Sequence, residues 1–194
     1  HPVQRVLSHY RYHATLVESD LGQAILNENL SPLAYIEQFR DRIPLQYEIF
    51  LIDQDFADCK TDEALAERAF ENLSTRISLF GLLEDIDAFV VMARDLIGLS
   101  DVFYAKPINK TAPHAPNNQL EATEKERLEQ ILKADILFYE KAKELFHERA
   151  EDWSGGKMES LKTTFRKQNT EFASLKQGAD QKQDHQHPWR AFYS

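Results

Sequence analysis

A single cysteine, Cys59, stands in the 194 residues, so no disulfide can form within the chain. The lone thiol fits a reducing, cytoplasmic setting. Positive charge is in deficit: 23 Lys and Arg face 32 Asp and Glu, for a net charge of −9. Such a chain lacks the overall positive field that binding a nucleic-acid backbone needs, although a local basic pocket remains open to it. No apolar run is long enough to span a bilayer, and no secretory signal segment is visible. Metal-ligating patterns are missing as well. His185-Gln186-His187 lacks a partner set and a rigid element to hold it, so no metal is expected.

What is present is an ordinary globular composition, 42% apolar, at a length of one domain or part of one. The first ten residues carry the densest pattern. Pro2 suits the first turn of a helix, because its missing N–H would have no partner there. Val3, Val6, Leu7, Tyr10, Ala14 and Val17 then recur at helical spacing, which predicts one buried stripe. Arg5 and Ser8 are neighbours on another face. A fixed charge and a hydroxyl thus accompany a helix start, whose N–H groups and dipole favour phosphate or sulfate. On spacing alone the same residues also describe a plain amphipathic helix with a polar flank.

Along the chain, Gly22 and Asn27-Glu28-Asn29 read as a turn. Ser31-Pro32 reads as an N-cap and first helical position, with Leu33, Ile36 and Phe39 facing inward and Pro44 ending the helix. Gln46 to Ile52 is a strand or a helix by apolar content. Thr61 opens a helix with Asp62 and Glu63 in its first turn and Leu65, Ala66, Ala69, Phe70 and Leu73 as its stripe. Ile77 to Glu84 reads as a short buried strand turning at Gly81. Ile86 to Ile97 reads as a helix stopped by Gly98. Asp101 to Ala105 reads as another short extended segment, and the proline-bearing loop from Lys106 to Gln119 as irregular. Thr123 and Glu126 form a capping box for a long helix running to about Arg149. Past Trp153-Ser154-Gly155-Gly156, Met158, Leu161, Phe165, Phe172 and Leu175 allow a last amphipathic helix, and the stretch after Gln177 is polar.

Pro2 and Ser8 stand in the register of the 3′-phosphate-binding segment of sulfotransferases that use 3′-phosphoadenosine-5′-phosphosulfate (PAPS), which the opening stretch resembles. Arg5 matches a second, commonly basic position there. In that family an arginine opens the segment; it would precede His1, and the phosphate-cradling loop would lie further upstream. Ile77-Ser78-Leu79-Phe80-Gly81-Leu82-Leu83-Glu84 is similar by pattern to a strand element of the carbohydrate-type group, and "DILFYEKAKELF" to its closing helix. The resemblance runs from His1 to about Arg149.

The resemblance implies an α/β fold, a P-loop-type parallel sheet flanked by helices, with residues 1–150 as the C-terminal portion of that domain. Residues 151–176 would be an additional helix and 177–194 a flexible tail. It further implies transfer of a sulfuryl group from PAPS to a hydroxyl, most plausibly of a carbohydrate, with no metal. Its nucleotide contacts here would be Ser8, Arg5, Lys110 and Thr111, and adenosine-3′,5′-bisphosphate would bind as product. Asn109-Lys110-Thr111 is also a glycosylation sequon. Sulfuryl transfer needs a held nucleotide, a base for the acceptor hydroxyl and a cation for the leaving oxygen. The family's base and lysine sit upstream, so no catalytic residue is assigned. His9, His13, His114 and His147 read as surface or helix-flank histidines. Without its upstream part the chain is expected to bind PAPS weakly or not at all. It is also expected to associate through the open edge of its strand near Leu79. The rival reading is a helical interaction or scaffold module without catalysis.

Overall fold

Pro2 takes the first position of α1 (Pro2–Thr15), whose buried face is Val3, Val6, Leu7 and Tyr10. The computed structural model describes residues 1–99 and 120–183, with side chains to residue 174. Val17, expected to extend the α1 stripe, lies beyond the helix end and is 51% exposed. The turn expected at Gly22 is instead the first turn of α2 (Asp20–Glu28). Ser19 caps it by accepting from the Gly22 N–H at 3.0 Å. A Cβ on Gly22 would overlap the Leu16 carbonyl oxygen, so glycine serves close approach here. The chain reverses further on, at Asn29, which is left-handed with φ 49°.

Ser31 caps α3 (Pro32–Phe39) as its sequence predicts, accepting from the Ala34 N–H at 3.2 Å. A single 3-10 turn follows at Arg40–Arg42, and the segment from Gln46 to Ile52, where helix is favoured over strand, holds a second 3-10 turn at Tyr47–Phe50. α4 (Asp53–Asp58) is short. α5 (Asp62–Arg76) buries Ala66, Ala69 and Leu73 as expected and is capped by Thr61.

No strand occurs among the described residues, and this overturns the α/β expectation: every element there is helical, and the parallel sheet is not present. The stretch read as a buried strand is extended at Ile77 (φ −112°, ψ 110°) and Leu82 (φ −101°, ψ 136°). No described segment forms a ladder with it. Two of its apolar side chains serve helix packing instead: Leu82 is buried, and the Phe80 ring lies 6.0 Å from that of Phe146, while Ile77 and Leu83 are exposed. A short apolar run of this kind carries no period that distinguishes a strand from a segment laid on a helix. Gly81 is kept small by Phe89, whose ring carbons would stand 2.5 and 2.6 Å from a Cβ there. The open strand edge expected near Leu79 to drive self-association is therefore absent among the described residues.

α6 (Ile86–Ile97) ends, as expected, at a left-handed Gly98 with φ 65°. The long helix expected from Thr123 to Arg149 is two: α7 (Ala122–Ile131) and α8 (Lys133–Ser154), broken at Leu132. The capping box is formed by Glu121 and Glu124 rather than by Thr123 and Glu126. α9 (Met158–Gln183) follows Gly155 and Gly156, both at positive φ, and runs past the expected limit at residue 176.

Two compact units divide the chain, His1–Ser78 with Asn109–Leu145, and Leu79–Ile108 with Phe146–Ser194. Within the first, α1 packs on α2 and α3, α3 on α7, and α5 on α4 and the Tyr47–Phe50 turn. Buried Asp135 of α8 accepts from the Tyr47 N–H at 2.9 Å, and Asn72 donates to the Phe50 carbonyl at 2.8 Å. Within the second, α6 packs on α9. There Asp85 pairs with Lys162 at 2.8 Å, and Asp87 with Arg166 at 2.5 Å.

Candidate anion-binding face of the first helix

Because Pro2 fixes where α1 begins, it also fixes which residues share each face. Arg5 and Ser8 fall one turn apart, as expected. Arg5 is half-buried, and its Nη1 donates to the Pro44 carbonyl at 2.5 Å. Guanidinium has five N–H donors, so this bond uses one. Ser8 is exposed, and no hydrogen bond among the described residues engages its hydroxyl. It lies about 9 Å along the axis from Pro2 at 1.5 Å per residue. The helix-start N–H groups and the Ser8 hydroxyl therefore do not converge on one small anion. Arg5 lies between them. Lys110 and Thr111 lie outside the described residues, as does His114.

The structure gives His9 and His13, read as surface or helix-flank histidines, partners that the sequence does not announce. Their ring centroids are 4.5 Å apart, one helical turn along the same flank as Arg5. The Tyr35 hydroxyl from α3 lies 3.1 Å from His9 Nδ1. Tyr35 is itself fully buried, and that burial pushes its hydroxyl up to about 12, against the pull of the Arg42 charge. It therefore keeps its proton and can donate it to Nδ1, which leaves the other His9 nitrogen carrying the ring proton. Burial pulls both histidines below their ordinary range; His13 and Arg5 add to this at His9, and Arg42 at His13. His13 Nδ1 is buried without a hydrogen-bond partner. Arg42 rests over the Phe39 ring at 5.9 Å. The sequence signal for the pair was the four-residue spacing of His9 and His13 behind Arg5. Tyr35 and Arg42 gave none, since they arrive from other elements.

The Arg5 charge reaches the carboxylate of Asp135. Asp135 is fully buried; its Oδ1 accepts from Tyr47, and its Oδ2 has no partner. Burial raises its pKa, while the Tyr47 and Gln46 N–H groups and Arg5 oppose the rise. Among the described residues no carboxylate is a cause of the shift of either histidine ring.

No family model, curated protein or solved structure matches the chain. The reading of this face therefore rests on its residues. Among the described residues no three His, Cys, Asp or Glu side chains form a group able to hold a metal ion. No described helix is long and apolar enough to cross a membrane. An open cleft of about 400 Å³ lies in the second unit between α6 and α9, lined by Val91, Arg94, Leu99, Leu161 and Phe165 among others. It contains none of the expected nucleotide contacts, so its size does not make it the nucleotide site.

Proposed function

We propose that the chain is part of a PAPS-dependent sulfotransferase, transferring a sulfuryl group to a hydroxyl of a carbohydrate or other small acceptor. One observation supports this above the rest: α1 begins at Pro2 and presents an exposed Ser8 one turn beyond Arg5, in the register of the family segment. In this reading Ser8 donates to the 3′-phosphate, and Arg5 supplies charge from its half-buried position. Lys110 and Thr111 add donors to the nucleotide. The reading needs no sheet within this chain and assigns no catalytic base. Calorimetry with adenosine-3′,5′-bisphosphate tests it. Ser8→Ala should weaken binding by about 1–3 kcal/mol, the cost of a hydrogen bond to a charged group. Equal affinity in the two proteins would remove Ser8 and the reading with it.

The second reading is a helical interaction module without catalysis. It draws on the helices-only architecture of the described residues and on Leu96, Ile97 and Leu99, all exposed at the end of α6. A protein that binds no nucleotide yet is structured as described favours this reading.

A further inference from the structure

Two arginines and two histidines gather in the first unit, in a chain whose net charge is −9; Asp135 reaches the Arg5 charge and Asp41 adjoins Arg42 in its turn, but no described carboxylate is among the groups that shift either ring. Arg5, His9 and His13 come from α1, Arg42 from the 3-10 turn after α3, and Tyr35 from α3 itself. Among the described ion pairs none engages Arg5 or Arg42; one donor of Arg5 is taken by the Pro44 carbonyl, and Arg42 lies over an aromatic ring. Arg42 and the two rings have no ion pair among the described residues, so positive charge held there costs stability, and a ligand of opposite sign lowers that cost.

We infer that Arg42, His13 and His9, positioned by Tyr35 and backed by Arg5, form a site for a tetrahedral oxyanion, a phosphate or sulfate group. Arg42 supplies a permanent charge and a planar set of donors. The Tyr35 hydroxyl fixes the His9 ring. His13, whose Nδ1 is buried and orphaned, is left with its other nitrogen to meet a ligand. An anion here would favour the protonated rings, the Tyr35 oxygen then accepting from the His9 Nδ1–H, so ligand binding and ring protonation support one another. The groups that act on the rings are Arg5 and the neighbouring histidine within α1, and Arg42 from the turn; Tyr35 of α3 is bonded to His9. From α2, which also packs on α1, neither Asp20 nor Glu28 acts on either ring. The site shares Arg5 with the nucleotide reading but not Ser8, so it can hold where that reading fails.

The test follows His9 and His13 ring-nitrogen resonances while the whole chain is titrated with sodium sulfate, against sodium chloride at matched ionic strength. Sulfate remains a dianion from about pH 5 to about pH 8, so a pH series reports the rings and not the ligand. The expected result is a saturable sulfate shift at both rings, tighter at the acid end. Inorganic phosphate should give the same shift. Arg42→Gln should weaken the effect about tenfold or more with unchanged circular dichroism, and Ser8→Ala should leave it as it is. Sulfate shifts that merely follow chloride would overturn the inference. So would full retention of binding in both Arg42→Gln and His13→Gln. Loss of adenosine-3′,5′-bisphosphate binding in Ser8→Ala, with sulfate binding intact, would separate the two sites.

Discussion

The Tyr35 hydroxyl lies 3.1 Å from His9 Nδ1, and it joins the second turn of α1 to the middle of α3. That contact brings a histidine which the sequence places on a helix flank into a cationic cluster. Tyr35→Phe deletes only the hydroxyl. It should cost about 0.5–1.5 kcal/mol in a denaturant melt and free His9 to change tautomer, visible as a change in its ring-nitrogen shifts. Unaltered shifts would mean the bond is not formed in solution.

Acid should destabilise the first unit through the same pair. Both rings have folded-state pKa values below their ordinary 6.5. The unfolded chain then binds more protons in the window below 6.5, so the stability these rings contribute is present above it. That contribution is lost as pH falls through the folded-state values. Replacing both with Gln should flatten the fall in melting midpoint between about pH 7.5 and about pH 5.5. An equal fall in both proteins would show that the rings are not depressed.

Asp135 separates burial of charge from loss of a hydrogen bond. Asp135→Asn keeps an oxygen for the Tyr47 N–H and removes a desolvated charge, so neutral-pH stability should hold or rise. Asp135→Leu leaves that N–H unsatisfied and should cost about 1–3 kcal/mol. The order of the two variants in a urea melt is the readout, and Asn below Leu would contradict it.

In the second unit, Lys162 meets Asp85 at 2.8 Å and Glu159 at 2.7 Å, but their surroundings differ. The Asp85 side chain is 17% exposed and that of Glu159 76%. Glu159→Ala should therefore change stability by about 0–1 kcal/mol. Asp85→Ala leaves a buried ammonium short of its partner, with a cost toward the lower end of about 3–5 kcal/mol. Equal costs would place the two pairs in the same dielectric.

Helix starts were the most legible feature, because Pro2, Ser31 and Thr61 carry their own chemistry: a missing N–H, or a hydroxyl that accepts from the first turn. Gly98 was equally plain, since a left-handed C-terminal residue favours glycine. The absence of a strand from Ile77 to Glu84 was not legible, because a short apolar run laid against helices looks the same as one in a sheet. Nothing between Gln130 and Lys133 announced the break at Leu132, where neither glycine nor proline stands. At the site, Arg5 and Ser8 were readable from helical spacing, whereas Tyr35 and Arg42 join only through tertiary packing. The resemblance supplied a role for Ser8 and, with it, a sheet that the described residues do not contain.

The 3′-phosphate is what the Ser8 assignment turns on, so the most direct measurement compares two nucleotides differing in that group. Backbone amide spectra of the chain are recorded with adenosine-3′,5′-bisphosphate and with adenosine-5′-phosphate, each to about 10 mM, enough to detect binding near −4 kcal/mol. The account predicts saturable shifts at Ser8 and its α1 neighbours with the bisphosphate, far smaller ones with the monophosphate, and loss of the difference in Ser8→Ala. Identical responses to the two nucleotides, or no response around Ser8 to either, would contradict it.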